Sequence, residues 1–129
     1  MLTDAKHSEL YRDWESYIDV PDARAAFRYI VGVAACSGRY RCHIQWKGDV
    51  RDFRFHDVSG EQTHSFITNQ RWLLFYFRPP AVRSGEYSRE RLSQDFDSFE
   101  ENPAGEWTVK LTNIADVDRL GKHIRWNTP

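Results

Sequence analysis

His56, Asp57, Glu61 and His64 bring imidazole and carboxylate groups into one short stretch, with His43 a strand earlier. These are ligand types for a divalent metal, but His56 and His64 flank an unpatterned loop and match no compact metal-binding spacing. A solvated surface explains them more simply, and no metal is expected. Nucleophilic chemistry finds as little support. Ser37, Ser59 and Ser84 each precede a glycine, yet none sits in the Gly-x-Ser-x-Gly setting of a nucleophile elbow. Cys36 or Cys42 would need a base such as His43 to become a thiolate. No Gly-rich phosphate loop follows any strand, so no nucleotide cofactor is expected. No residue is assigned as catalytic.

Two further constellations concern phosphate. Gln45-Trp46-Lys47 imitates the second half of a PD-(D/E)xK nuclease metal site, with Asp49 or Asp52 close by. Such a site needs carboxylates converging on a divalent ion and a lysine near the attacking water. The upstream acid is not identifiable here, so a metal-dependent nuclease is the third reading. The broader signal is guanidinium: Arg39, Arg41, Arg51 and Arg54, then Arg71, Arg78, Arg83, Arg89 and Arg91. Guanidinium grips phosphate or carboxylate two-pronged and stacks on aromatic rings. Asp49, Asp52, Asp57, Asp95 and Asp97 intervene and make the surface one of mixed charge.

The stretch "HSFITNQRWLLFYFRPP" joins these groups to aromatic side chains. Its Asn69-Gln70-Arg71 turn offers amide and guanidinium donors able to read a base edge or a carboxylate. Trp72 and Tyr76 supply stacking surfaces wherever they are exposed. The candidate nucleic-acid-binding set is therefore Arg71, Arg78 and Arg83 for phosphate, Asn69 and Gln70 as readers, and Trp72 and Tyr76 for stacking.

The elements that must carry these residues follow from periodicity. Thr3-Asp4 is placed to cap a helix with Leu10, Trp14 and Ile18 four residues apart, joined by Tyr11 and Tyr17. Pro21 suits the entrance to a second helix with Ala25, Ala26, Tyr29, Ile30 and Val33 on its apolar side, ended by Ser37-Gly38. From Arg39 the period becomes two, with Tyr40, Cys42, Ile44 and Trp46 inward. Gly48-Asp49 then turns the chain into a strand with Phe53 and Phe55 inward. Two more strands flank the Asn69-Gln70-Arg71 turn. In Trp72–Phe77 both faces are apolar, which predicts a central strand covered by helices on both sides. Pro79-Pro80 stops it, and 81–87 reads as a mobile loop. Ser88 caps a short helix carrying Leu92, Phe96 and Phe99. Trp107, Val109 and Leu111 alternate with Thr108 and Lys110 in a last strand. Asn113 to Asp116 resembles a capping box opening a helix with Val117, Leu120 and Ile124 inward.

The order predicts an α+β fold: one domain with an antiparallel sheet of four or five strands, two amino-terminal helices and a carboxy-terminal helix. The size, 129 residues with 40% hydrophobic content, is enough for a real core, and a 29% charged fraction suits a soluble protein. A net charge of −1 gives no global field toward nucleic acid or membranes. With no signal-like stretch in 1–7 and no run long enough to span a bilayer, a cytoplasmic location is expected, with both cysteines reduced and buried.

The segment "GEWTVKLTNIADVDRLGKHIRW" is a glycine-led strand followed by a capped helix with an acidic start. Together with the aromatic Trp72–Phe77 strand it resembles small α+β domains of uncharacterised function found alone or fused to bacterial restriction and DNA-modification proteins. The resemblance extends over Ser65 to Ile124, brings no catalytic set, and implies a DNA-processing or defence setting. The leading expectation is thus a non-catalytic nucleic-acid-binding module. The alternative is a protein-binding inhibitor or immunity-type protein, anchored by Trp and Arg on a mixed-charge surface.

Overall fold

The computed structural model describes residues 1–4 and 7–127. Its frame is a six-stranded antiparallel sheet in the order β1-β2-β3-β4-β6-β5. The strands are β1 (Arg41–Lys47), β2 (Val50–His56), β3 (Gln62–Thr68), β4 (Leu73–Phe77), β5 (Glu100–Glu101) and β6 (Trp107–Leu111). The β1–β2 hairpin turns at Gly48, whose φ of 62° is a left-handed conformation that glycine adopts without a Cβ clash.

Register decides which side chains meet. Ile44 pairs with Phe53, Phe53 with Phe66, Phe66 with Phe75, and Phe75 with Val109. All five lie on one face and are buried. Each such aromatic or aliphatic group contributes roughly 1.5–3 kcal/mol by leaving water, so this apolar row fixes the pairing. Slipping any strand by one residue would replace it with Asp52, Ser65 or Thr108.

The helices α1 (Ser8–Tyr17), α2 (Pro21–Cys36) and α5 (Ile114–Leu120) pack on this side, with α3 (Pro79–Arg83) and α4 (Arg89–Asp95) at its end. In α2 the buried residues are Ala23, Ala26, Phe27, Ile30 and Ala34. This stripe is rotated from the expected one: Tyr29 is exposed and donates from its hydroxyl to Asp118. An alanine-rich helix offers several apolar stripes, and the bulk of Phe27, edge-on to Phe66 at 6.1 Å, selects among them.

Several expectations are corrected. Six strands replace four or five, because Glu100–Glu101 pairs with Trp107 and Thr108 and takes Phe99 out of the expected helix. Among the described residues, five helices replace three and a short insertion. Pro79 and Pro80 begin α3, where their missing N–H groups cost nothing, so part of the expected loop is helical. Among the described residues the Asp4 carboxylate accepts not from an amide of α1 but from the Tyr11 hydroxyl and, at 2.6 Å, from the Ile44 amide. The expected start at Ala5 and Lys6 lies outside the described residues. Cys36 is exposed while Cys42 is buried, and both are free thiols. Asn113 does cap α5 by accepting from the Asp116 amide, whereas the Asp116 carboxylate reaches the Thr112 amide and hydroxyl instead of closing the box. Among the described residues, no helix is long and apolar enough to cross a membrane.

Candidate functional site

The expectation that β4 would be covered on both sides fails, and that failure creates the site. Leu73, Phe75 and Phe77 are fully buried beneath the helices, while Leu74 and Tyr76, pointing the other way, are only half-buried. By strand alternation their face carries Arg41, His43, Gln45 and Lys47 from β1, Asp52, Arg54 and His56 from β2, and Ser65 and Ile67 from β3. Thr108 and Lys110 follow from β6. One side of the sheet is therefore a mixed polar and aromatic surface free of helices.

At its centre is a basin of about 240 Å³ lined by Lys47, Val50, Asp52, Ser65, Ile67, Tyr76, Arg78 and Glu106. Arg54 Nε donates to Asp52 at 2.7 Å, and Arg78 Nε lies 3.0 Å from Glu106, close enough for an ion pair but not aligned for a hydrogen bond. Burial, then the Glu106 and Asp52 carboxylates, raise the Tyr76 hydroxyl above its ordinary pKa, so it is a neutral donor and acceptor at neutral pH. Trp72 lies at one margin with the Lys110 ammonium 4.3 Å from its ring centroid. At the other, the His43 and His56 rings stack 5.1 Å apart; burial, then His56, lowers the His43 pKa. With its amide turned to satisfy both neighbours, Gln45 donates to His43 Nε2 and accepts from Arg54.

The predicted residues are only partly brought together. Trp72, Tyr76 and Arg78 follow one another along this face. Arg71 and Gln70 are exposed in the β3–β4 turn, where the Gln70 carbonyl accepts from the Asp19 amide and the Asn69 amide donates to the Trp72 carbonyl. Those backbone bonds fix the turn and leave the Gln70 and Arg71 side chains free of structural duty. Arg83 is exposed in the last turn of α3, at the opposite end of β4 from Arg71, about 17 Å of strand away. The set is thus a central row with separated ends. Lys110, Ile67, Leu74 and Glu106 belong to the surface but not to the predicted set. Alternation in β6 had already placed Lys110 opposite Val109, the one available signal for it.

The chemistry expected of other groups divides similarly. His64 lies on the buried face and His56 on the open one, which separates the metal-like cluster. Among the described residues no group of three His, Cys, Asp or Glu side chains is placed to hold a metal ion. Lys47 and Asp52 do share the basin, but guanidinium groups stand against Asp52 and Glu106 where a nuclease would hold a cation. Compared with protein-family models, curated proteins and solved structures, the chain matches none.

Proposed function

We propose that the chain is a non-catalytic binding module that receives single-stranded nucleic acid on the helix-free face of its sheet. The observation that carries this reading is the partial exposure of Trp72 and Tyr76 on a face bordered by Arg41, Lys47, Arg78 and Lys110. Bases stack on such rings whatever their sequence, while surrounding cations follow the phosphates. Asn69 and Gln70 read a base edge from the adjoining turn, with Arg71 beside them as a phosphate contact and Arg83 extending the track past β4. The resemblance of the Ser65 to Ile124 region to domains of bacterial restriction and DNA-modification proteins supports a cytoplasmic DNA-processing or defence role.

A protein partner is the second reading, favoured by the Arg54–Asp52 and Arg78–Glu106 pairs, which already neutralise two of the cations. An inhibitor or immunity-type protein would use the same face, with Ile67 and Leu74 as apolar contacts. Fluorescence anisotropy of short single-stranded and duplex DNA and RNA at about 50 and 200 mM salt separates the two. Single-strand binding that weakens with salt, and falls roughly tenfold in Trp72→Ala or Tyr76→Ala, is expected. Unchanged binding in both variants removes the platform. Binding to no probe, with a tightly co-purifying protein, moves the assignment to the second reading, and cleavage dependent on magnesium moves it to a nuclease.

A further inference from the structure

A second candidate site lies at the helix-bearing end of the sheet, away from the platform. A cleft of about 320 Å³ opens to solvent between Arg39, Glu86, Tyr87, Arg91, Lys122 and Arg125. Arg39 is held by both oxygens of Glu86, and its Nη1 also donates to the Arg125 carbonyl. Among the described residues, Arg91, Lys122 and Arg125 have no carboxylate partner, so the cleft mouth is strongly cationic. Adjoining it across Arg39, Glu86 and Tyr87, which line both spaces, is a smaller cavity of about 150 Å³ lined also by Tyr40 and His64, the inner cavity below.

The inner cavity carries a buried polar atom that the protein leaves without a partner. His64 is 1% exposed, yet its Nε2 has no hydrogen-bond partner, while the Tyr40 and Tyr87 hydroxyls lie close enough to each other, and Tyr87 to Glu86, to interact. His64 spends its other nitrogen on Thr63 Oγ1 at 2.8 Å. The Tyr40 and His64 rings stand 5.5 Å apart, as do those of His64 and Tyr87, and all three line one small volume with the unpartnered His64 nitrogen among them. Buried donors and acceptors are normally satisfied, and such a convergence in a cavity marks a ligand position.

We propose that the two adjoining spaces bind a small phosphomonoester, its phosphate among Arg91, Lys122 and Arg125 and its hydroxyl-bearing end at Tyr40, His64 and Tyr87. The orientation follows from charge. Asp57 and Glu61 line the inner cavity and not the cleft and repel an anion there, while three cations without acidic partners among the described residues face the outer cleft. Burial leaves His64 uncharged at neutral pH, so the inner end recognises a neutral hydrogen-bonding group and not a second anion. Guanidinium at two positions suits the several oxygens of phosphate better than the two of carboxylate.

Ribose 5-phosphate, glycerol 3-phosphate, ribose and inorganic phosphate serve as probes, read by titration calorimetry and by the ¹⁵N signal of the His64 ring. At least one phosphomonoester should saturate and bind about tenfold tighter than inorganic phosphate, the difference being the inner hydrogen bonds. It alone should move the His64 signal, and ribose should not bind. Lys122→Ala with Arg125→Ala, both at exposed positions, should weaken the ester and inorganic phosphate alike. Tyr87→Phe, which keeps the ring, should remove only the ester's advantage. Equal affinity for ester and phosphate, an unmoved His64 signal, or absence of saturation by both esters overturns the proposal.

Discussion

Acidification should destabilise this protein through His64 before its carboxylates are protonated. The imidazole is buried among Phe55, Phe75, Phe77, Tyr40 and Tyr87, and burial pushes its pKa from 6.5 down to about 3. In the unfolded chain the ring takes a proton near its ordinary pKa, so between those values the unfolded state binds the extra proton. The neutral ring's contribution to stability is thus fully present above about pH 6.5 and is lost as pH falls toward 3. The slope is about 1.4 kcal/mol per pH unit once the unfolded chain is mostly protonated, giving a loss of about 2 kcal/mol between pH 7 and pH 5. Glu86, lowered by its hydrogen bond from Arg39, titrates below that window. So does Asp57, where burial alone would raise the pKa but hydrogen bonds from Ser59 and the Glu61 amide prevail. His43 is also lowered and would add to the slope, so the comparison belongs in a His43→Asn background. Urea midpoints at pH 7, 6 and 5 should fall steeply with His64 present and only slightly in His64→Phe, whose ring suits the aromatic cage. If the two proteins lose stability in parallel, the buried neutral imidazole is not the acid-sensitive element and the reasoning fails.

Two other perturbations test the joints of the fold and of the open face. Asp4→Ala leaves the buried Ile44 amide without its acceptor and should cost roughly 2 kcal/mol, read from urea unfolding, with faster hydrogen exchange at Ile44. An unchanged exchange rate there would mean that the amino-terminal segment does not anchor β1. Glu106→Gln releases Arg78 from its ion pair and should tighten single-stranded nucleic-acid binding about threefold. A protein partner that meets the Glu106 carboxylate would instead bind more weakly, and no effect on nucleic acid would remove Arg78 from the phosphate track.

Most strands were legible because alternation is local. In β1 and β2, Cys42, Ile44, Phe53 and Phe55 announce the inward face, and all four are buried. The face of α2 was less legible, since Ala25, Tyr29 and Val33 form as good a stripe as Ala23, Phe27 and Ala34 until Phe66 is opposite. Asp4 misled because an acidic residue before a helix resembles a cap, and its partner, the Ile44 amide, is forty positions away in sequence. The cleft near Arg39 was invisible for the same reason. Arg39, Glu86 and Arg125 come from distant segments, and no local spacing relates a strand entrance, a loop and the carboxy-terminal turn.

The apolar composition of β4 carries the deeper lesson about function. Apolar residues on both faces ordinarily imply two covering layers, and by composition Leu74 and Tyr76 belong under one of them. The structure spends its helices on one side only, so Leu74, Tyr76 and Ile67 are left on a surface whose neighbours are charged. Asp52 and Glu106 temper those neighbours by pairing with Arg54 and Arg78, which keeps an aromatic face compatible with water in the absence of a partner. A ligand that docks there must supply stacking or apolar contact in the middle of the sheet and must compete with those carboxylates at its border. An extended strand of bases with its phosphates meets both demands. A compact anion does not, and the cationic cleft at the other end of the fold suits it better. On the two proposals, the sheet face and the cleft would divide recognition by the shape of the ligand, although both would use guanidinium.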